Sequence, residues 1–176
     1  MMTKLSRLMY GLIYPAIVGA LIVAFFENLQ HLNAFGIWAA IFIIVYFCTQ
    51  FLEGESPSIQ WPRFLVDILE ILLVYQLMVS LDIAQPLFFY PDWIPTVLQT
   101  QGIQQYFVAL SVALLIPPIH RLFRREICEK IRRTFLSLVA AFSSLLAAIH
   151  ILPMCVALLI CYICVSVYIF LILCKE

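Results

Sequence analysis

Charged residues are scarce in this 176-residue sequence. Only 11% of the residues are Asp, Glu, Lys or Arg, whereas 65% are hydrophobic, and the mean hydropathy is +1.06. Soluble domains are about half apolar and about a quarter charged. The chain therefore has too little charged surface to coat a water-soluble globule, and its composition predicts an integral membrane protein.

Glycine and the sequence patterns of catalysis are scarce as well. The chain has five glycines and no glycine-rich phosphate loop, and it contains neither G-x-S-x-G nor H-E-x-x-H. Its three histidines are far apart, and no metal-ligating side chains are clustered along the sequence. We therefore expect no enzymatic activity, no resident metal ion and no cofactor.

Disulfide bonds are not expected, although six cysteines are present. The cysteines lie in apolar runs or beside basic clusters, whereas a disulfide framework needs loops in an oxidising space. Cys161 and Cys164 form a C-x-x-C pattern, but in the middle of an apolar run, where a thiolate would be costly. We interpret the cysteines as small apolar packing residues.

Long apolar runs are abundant, and they set the fold class. A membrane-spanning helix needs about 20 mostly apolar residues. The sequence predicts an all-α polytopic bundle of six spans in a single membrane domain, with four or five spans as the fallback. The six segments are 8–26, 34–51, 63–81, 106–123, 134–151 and 154–174.

Two of these boundaries rest on further arguments. The run after the basic residues Lys4 and Arg7 continues to about Phe26 without a cleavage site of small residues, so we interpret it as a retained first span. Residues 134–174 as one helix would be about 60 Å long, roughly twice the hydrocarbon thickness. Pro153 marks the natural break, which predicts a tight hairpin. One long kinked helix is the alternative.

The basic residues predict the orientation of the chain. Short cytoplasmic loops are rich in Lys and Arg. In a six-span topology all ten basic residues lie on one side, which predicts a cytoplasmic (inner or plasma) membrane with both termini inside. These residues are Lys4, Arg7, Arg63, Arg121, Arg124, Arg125, Lys130, Arg132, Arg133 and Lys175.

The third apolar segment carries two carboxylates, Asp67 and Glu70. Helical spacing places them on one stripe with Arg63, about 6 and 10 Å deeper than that residue. An unpaired carboxylate at a helix centre costs about 2.5 kcal/mol or more, so the two acids must face the protein interior, find a basic partner or hold a proton. Gln76 adds an amide still deeper, on a different face.

Three interpretations of this stripe stay open. Arg63 and Asp67 form a structural pair, and Glu70 bonds to another helix or subunit. Alternatively, Asp67, Glu70 and Gln76 line an ion or proton path. In the third, the protein binds a quinone or a haem, for which His31 and His150 lie near one side of the membrane.

The segment 120–133 is the main cytoplasmic feature, and its acid-before-base pairs at i,i+4 favour a helix. It predicts either docking to an acidic partner or attraction to anionic lipid headgroups. The residues assigned to this surface are Arg121, Arg124, Arg125, Lys130, Arg132 and Arg133.

The sequence thus predicts a small non-enzymatic membrane subunit that anchors or signals to a cytosolic partner through this basic segment. We expect a homo-oligomer, a complex with a cytosolic or membrane protein, or both, together with membrane lipids, and no nucleic acid. Small residues of the first span (Pro15, Gly19) and of the fifth could form the oligomer contact. The alternatives are an ion or proton channel or transporter component and, less favoured, a quinone- or haem-binding subunit.

Overall fold

The computed structural model describes residues 8–54, 61–83, 102–124 and 131–174, and it describes side chains for all of these except 52–54, 61–63 and 122–124. The described residues form α-helices, opened by one π-helical turn (Met9–Ile13), and contain no strand, which confirms the predicted all-α class. The helices are α1 (Tyr14–Asn28), α2 (Ala34–Gly54), α3 (Trp61–Ser80), α4 (Ile103–Ala113), α5 (Ile116–Arg124), α6 (Ile131–Ala148) and α7 (Met154–Leu173).

Five stretches of the described chain are long and apolar enough to cross a membrane. They are Met9–Asn28, Ala34–Phe51, Ile103–Arg121, Ile131–Ala148 and Met154–Leu173. The helix α3 has 20 residues and is of comparable length, but it carries Asp67 and Glu70 and is not among the five. The helical content and these spans are consistent with a multi-pass membrane bundle.

Side-chain contacts fix the directions of the helices. Tyr10 packs on Phe51 and Tyr14 on Phe47, so α1 and α2 are antiparallel. The hydroxyl of Tyr46 donates to the carbonyl of Ala113, and that of Tyr106 donates to the carbonyl of Ala39. These two bonds make α2 and α4 parallel.

Further hydrogen bonds give the directions of the later helices. Arg121 donates to Thr134 and Gln104 donates to the carbonyl of Ala148, so α4 and α5 run antiparallel to α6. Asp67 contacts His120, and Arg133 donates to the carbonyl of Leu171. One end of the bundle therefore holds the start of α3, the helix α5, the start of α6 and the end of α7. We call it the basic end, because Arg121, Arg132 and Arg133 lie there.

At the opposite end, α3 and α6 stop in the same way. Asp82 and His150 adopt left-handed φ angles of 57° and 61°. The amide of Ile83 donates to the carbonyl of Met78, and that of Ile151 donates to the carbonyl of Leu146. This is the Schellman arrangement, in which a left-handed residue satisfies the last free carbonyls of a helix.

The predicted fourth span is broken in the structure. It was expected as one helix over 106–123, but α4 ends at Ala113 and α5 begins at Ile116. The cause is the pair Pro117 and Pro118, which have no N–H to donate to the carbonyls of residues 113 and 114. The freed carbonyl of Ala113 accepts a hydrogen bond of 2.7 Å from the Tyr46 hydroxyl instead. A neighbouring helix thus compensates for the break.

The last two helices form the hairpin that Pro153 predicts, with residues 149–153 as the connection. The small residues of α6 are buried against α7 and α4: the hydroxyl of Ser144 lies 3.3 Å from the sulfur of Cys161. This face is therefore not available as the predicted oligomer contact. Pro15 and Gly19 in α1 are exposed, and a Cβ atom on Gly19 would meet nothing within 4 Å.

Candidate functional site

Three potential metal-ligating side chains converge inside the bundle near its basic end. Asp67 and Glu70 come from α3, and His120 comes from α5. Asp67 and Glu70 are 0% and 1% exposed, and one ligand atom from each of the three residues lies within 4.8 Å of the other two. We call these three residues the carboxylate–histidine cluster.

Asp67 and His120 contact each other within the cluster. His120 Nε2 lies 3.2 Å from Asp67 Oδ1, and the two side chains are 12% and 1% exposed. Within the described part of the chain, Asp67 Oδ2 and His120 Nδ1 are buried and have no hydrogen-bond partner. A buried polar atom without a partner is rare in folded proteins and calls for an explanation.

Glu70 is held by Tyr14. The Tyr14 hydroxyl donates a 3.0 Å hydrogen bond to Glu70 Oε2. The ring of Tyr14 is itself fixed, because it stacks on Tyr10 at 5.2 Å and on Phe47 at 4.9 Å between ring centroids. An aromatic stack on two helices thus positions a donor for a carboxylate on a third.

Backbone irregularities adjoin this site from two sides. Tyr14 follows the π-helical turn Met9–Ile13 and donates its amide to the carbonyl of Met9. His120 follows the proline break between α4 and α5. Single π-turns are frequent at functional sites, and irregular backbone at membrane depth occurs where it is buried or lines a cavity. Both irregularities place side chains of this one site.

Apolar residues close the site toward the opposite end of the bundle. Val74 and Leu77 continue the face of α3 beyond Glu70, and they are 1% and 0% exposed. Gln76 lies on another face of α3, is half-buried and does not belong to the cluster. The partly exposed ring of His120 is therefore the side of the cluster nearest to solvent.

The sequence predicted two members of this cluster and missed the third, His120. The stripe with Asp67 and Glu70 faces inward as expected. The expected partner of Asp67 was Arg63, whose side chain lies outside the described residues, so that pair stays a prediction. The sequence showed no clustered metal ligands, but the fold brings His120 to Asp67 and Glu70. The expectation of no resident metal ion stays a prediction. The available signal was depth, since both residues were predicted near the cytoplasmic side.

Two of the six predicted docking residues are buried. The side chains of Arg121 and Arg133 are 2% and 7% exposed. Arg121 donates to Thr134 and to the hydroxyl of Tyr168, and Arg133 donates to the carbonyl of Leu171 at 2.6 Å. These guanidinium groups hold α5, α6 and α7 together, so the docking prediction is corrected for both.

Of the other four predicted docking residues, the structure describes the side chain of one. Arg132 is exposed at the start of α6. The side chain of Arg124, and all of Arg125 and Lys130, lie outside the described residues. The histidines considered for haem, His31 and His150, are exposed near the opposite end and do not belong to the cluster.

In comparisons with family models, with curated proteins and with solved structures, the chain has no match. Interpretation of the site therefore depends on its own geometry.

Replacing Tyr14 by phenylalanine tests how Glu70 is held. We expect the free energy of unfolding to fall by about 1–2 kcal/mol, because a hydrogen bond to a buried carboxylate is lost while the stacked ring remains. Denaturant unfolding in detergent would measure this. Tyr162→Phe is the matched control, because it removes an exposed hydroxyl bonded to the Trp38 carbonyl. Equal losses in the two variants would contradict a special role for the Tyr14 hydroxyl.

Proposed function

We propose that the protein is an ion- or proton-translocating membrane component in which Asp67, Glu70 and His120 form the binding site. The observation that carries this proposal is the presence of two buried carboxylates and an imidazole on facing helices of a membrane bundle. Ionisable residues inside a membrane bundle are costly and commonly mark ion pathways or proton relays.

The charge of the cluster supports binding of a positive species. Two ionised carboxylates bring a charge of −2 into a site where they are nearly inaccessible to water. A charged imidazole offsets one of them, and a proton, a bound cation or the predicted partner Arg63 would offset the other. The site is therefore suited to take up and release positive charge.

The apolar closure favours a transporter over an open channel. Val74 and Leu77 occupy the face of α3 beyond Glu70, so a bound ion would need a conformational change to reach the opposite end. The break between α4 and α5 lies beside the cluster and offers a point at which such a change could occur. Broken helices next to a binding site recur in secondary transporters.

The orientation of this transporter follows from the basic residues. The basic end would face the cytoplasm, in accordance with the positive-inside rule. The cluster would then be in its cytoplasm-facing state, and the membrane would be the inner or plasma membrane.

Glu70→Gln tests the proposal in reconstituted liposomes. We expect an at least tenfold slower ion or proton flux, because the amide cannot carry the negative charge yet keeps nearly the same shape. Flux would be followed with an enclosed pH-sensitive dye, and separately with a metal-sensitive dye, under an imposed gradient. The matched control is Glu27→Gln, the same chemical change at an exposed position near the opposite end.

Wild-type liposomes that show no flux of either kind would contradict translocation. Equal flux in Glu70→Gln and Glu27→Gln would remove the cluster from the path. Either result would leave the cluster as a structural element of the bundle.

Anchoring of a cytosolic partner is the second candidate function. It is favoured by the exposure of Arg132 in the basic segment, while the burial of Arg121 and Arg133 reduces the surface available. The exposed Pro15 and Gly19 face of α1 would serve for oligomerisation. Binding of a quinone or haem is less favoured, because His31 and His150 are exposed, and an absorption spectrum of the purified protein tests the haem.

A further inference from the structure

We propose that the carboxylate–histidine cluster binds one divalent transition-metal ion of the first row, such as Zn²⁺ or Fe²⁺. This inference deepens the proposed function by naming the class of ion, and it rests on that function only for transport of the metal. Binding itself can be tested without any transport.

The donor set selects this class of ion. His120 offers an imidazole nitrogen, and Asp67 and Glu70 offer carboxylate oxygens. Imidazole is a preferred ligand of zinc, iron, nickel and copper, whereas calcium and magnesium take oxygen ligands. A site with one nitrogen and two carboxylates therefore favours a transition metal, and the cluster contains no thiolate that would select a softer ion.

The spacing of the ligand atoms suits a single ion. Three atoms that lie within 4.8 Å of one another can all be within about 2.8 Å of a common point. Zinc bonds to nitrogen and carboxylate oxygen are about 2.0–2.2 Å long. The side chains of Asp67 and Glu70 rotate about single bonds. Shifts of less than about 1 Å would shorten the distances to the common point from about 2.8 Å to the length of a bond to zinc.

An independent observation comes from Asp67. Its carboxylate is 1% exposed, yet Oδ2 has no hydrogen-bond partner in the part of the chain that the structure describes. A buried carboxylate oxygen without a donor is costly. A metal ion on that side would satisfy the oxygen and would balance the two carboxylate charges.

Tyr14 is not a ligand itself but orients one of the three ligands, Glu70. Ligating carboxylates are themselves commonly hydrogen-bonded, which fixes their orientation, and Tyr14 makes this bond to Glu70 Oε2. Three protein ligands leave at least one coordination position open, as in sites that exchange a ligand, whereas structural zinc sites have four. A water molecule would occupy that open position.

Cobalt binding to the purified protein in detergent tests the inference. After treatment with a chelator, the wild type should bind one Co²⁺ per chain, with visible absorption bands that Zn²⁺ abolishes by displacement. Asp67→Asn and His120→Gln should each weaken binding more than about 100-fold, because each removes a direct ligand, and Tyr14→Phe should weaken it about tenfold. The matched controls Asp82→Asn and His31→Gln change exposed residues at the opposite end and should bind as the wild type does.

Two outcomes would overturn the inference: a wild type that binds no Co²⁺, or binding that Asp67→Asn and His120→Gln leave unchanged. Size-exclusion chromatography and circular dichroism would show that the variants fold. If one of them does not fold, Glu70→Gln, which keeps an oxygen for Tyr14, takes its place. Metal binding without flux would leave this site standing and contradict translocation. Proton flux without metal binding would support translocation and would overturn the metal site.

Discussion

Replacing Arg121 by alanine should lower the free energy of unfolding by about 3 kcal/mol. The guanidinium group is buried, donates to Thr134 Oγ1 at 3.1 Å and to the Tyr168 hydroxyl, and lies 5.1 Å from the centroid of the Tyr168 ring. Hydrogen bonds from charged groups contribute about 1.5–3 kcal/mol, and a desolvated cation–π contact about 2 kcal/mol. Alanine would remove these contacts and leave a cavity between three helices.

Arg132→Ala is the control for this experiment. It removes the same charge at the same end of the bundle, but from an exposed side chain, and should change stability by no more than about 0.5 kcal/mol. Denaturant unfolding in detergent would measure both variants. A double-mutant cycle of Arg121→Ala with Tyr168→Phe should give a coupling of about 1 kcal/mol or more, because the two side chains are in contact.

Equal stability of the Arg121 and Arg132 variants would contradict the structural role of Arg121. Loss of a cytosolic partner in the Arg132 variant alone would support the anchoring function independently of stability.

Arg121 is buried whereas Arg132 is exposed, and this difference shows what a charge pattern can predict. The positive-inside rule concerns the side of the membrane on which a residue lies. It does not say whether the side chain points to water or into the bundle. Arg121 follows the proline break and belongs to α5, which packs against α6 and α7, and its direction depends on that packing.

The helices themselves were largely predictable. Apolar runs of spanning length gave six segments, and each corresponds to a helix or a broken helix in the described structure. Pro153 predicted the end of one helix and the start of another, because proline cannot continue an α-helix. The break before His120 was missed although Pro117 and Pro118 are adjacent in the sequence, because the segment was judged by its length and overall hydrophobicity.

The candidate site was only half predictable. Helical spacing showed that Asp67 and Glu70 share a face, because such a face depends on local geometry alone. Their partners depend on tertiary contacts: Tyr14 is 56 residues from Glu70, and His120 is 53 residues from Asp67. A single sequence contains no signal for such pairs beyond the requirement that a buried carboxylate have some partner.

Replacing both Pro117 and Pro118 by alanine should disable the site without unfolding the protein. Alanine supplies the missing N–H groups, which can bond to the carbonyls of residues 113 and 114 and join α4 to α5 in one regular helix. His120 lies just after the break, so straightening the helix would change the direction of its side chain and lengthen the 3.2 Å contact with Asp67. We expect Co²⁺ binding and flux to fall more than tenfold, since metal sites and transport sites tolerate little displacement of a ligand.

The stability of this variant separates the break's role in the site from a role in the fold. Straightening would also move Arg121 away from Thr134 and Tyr168, and the better helix propensity of alanine would offset only part of that loss. The free energy of unfolding should therefore fall by no more than about 3 kcal/mol, and the variant should still fold. Pro153→Ala, in the hairpin connection at the opposite end, is the matched control and should keep the binding of the metal. If the double variant binds Co²⁺ as tightly as the wild type, the proline break has no part in placing His120. If it instead fails to fold, the break is needed for the packing of the bundle.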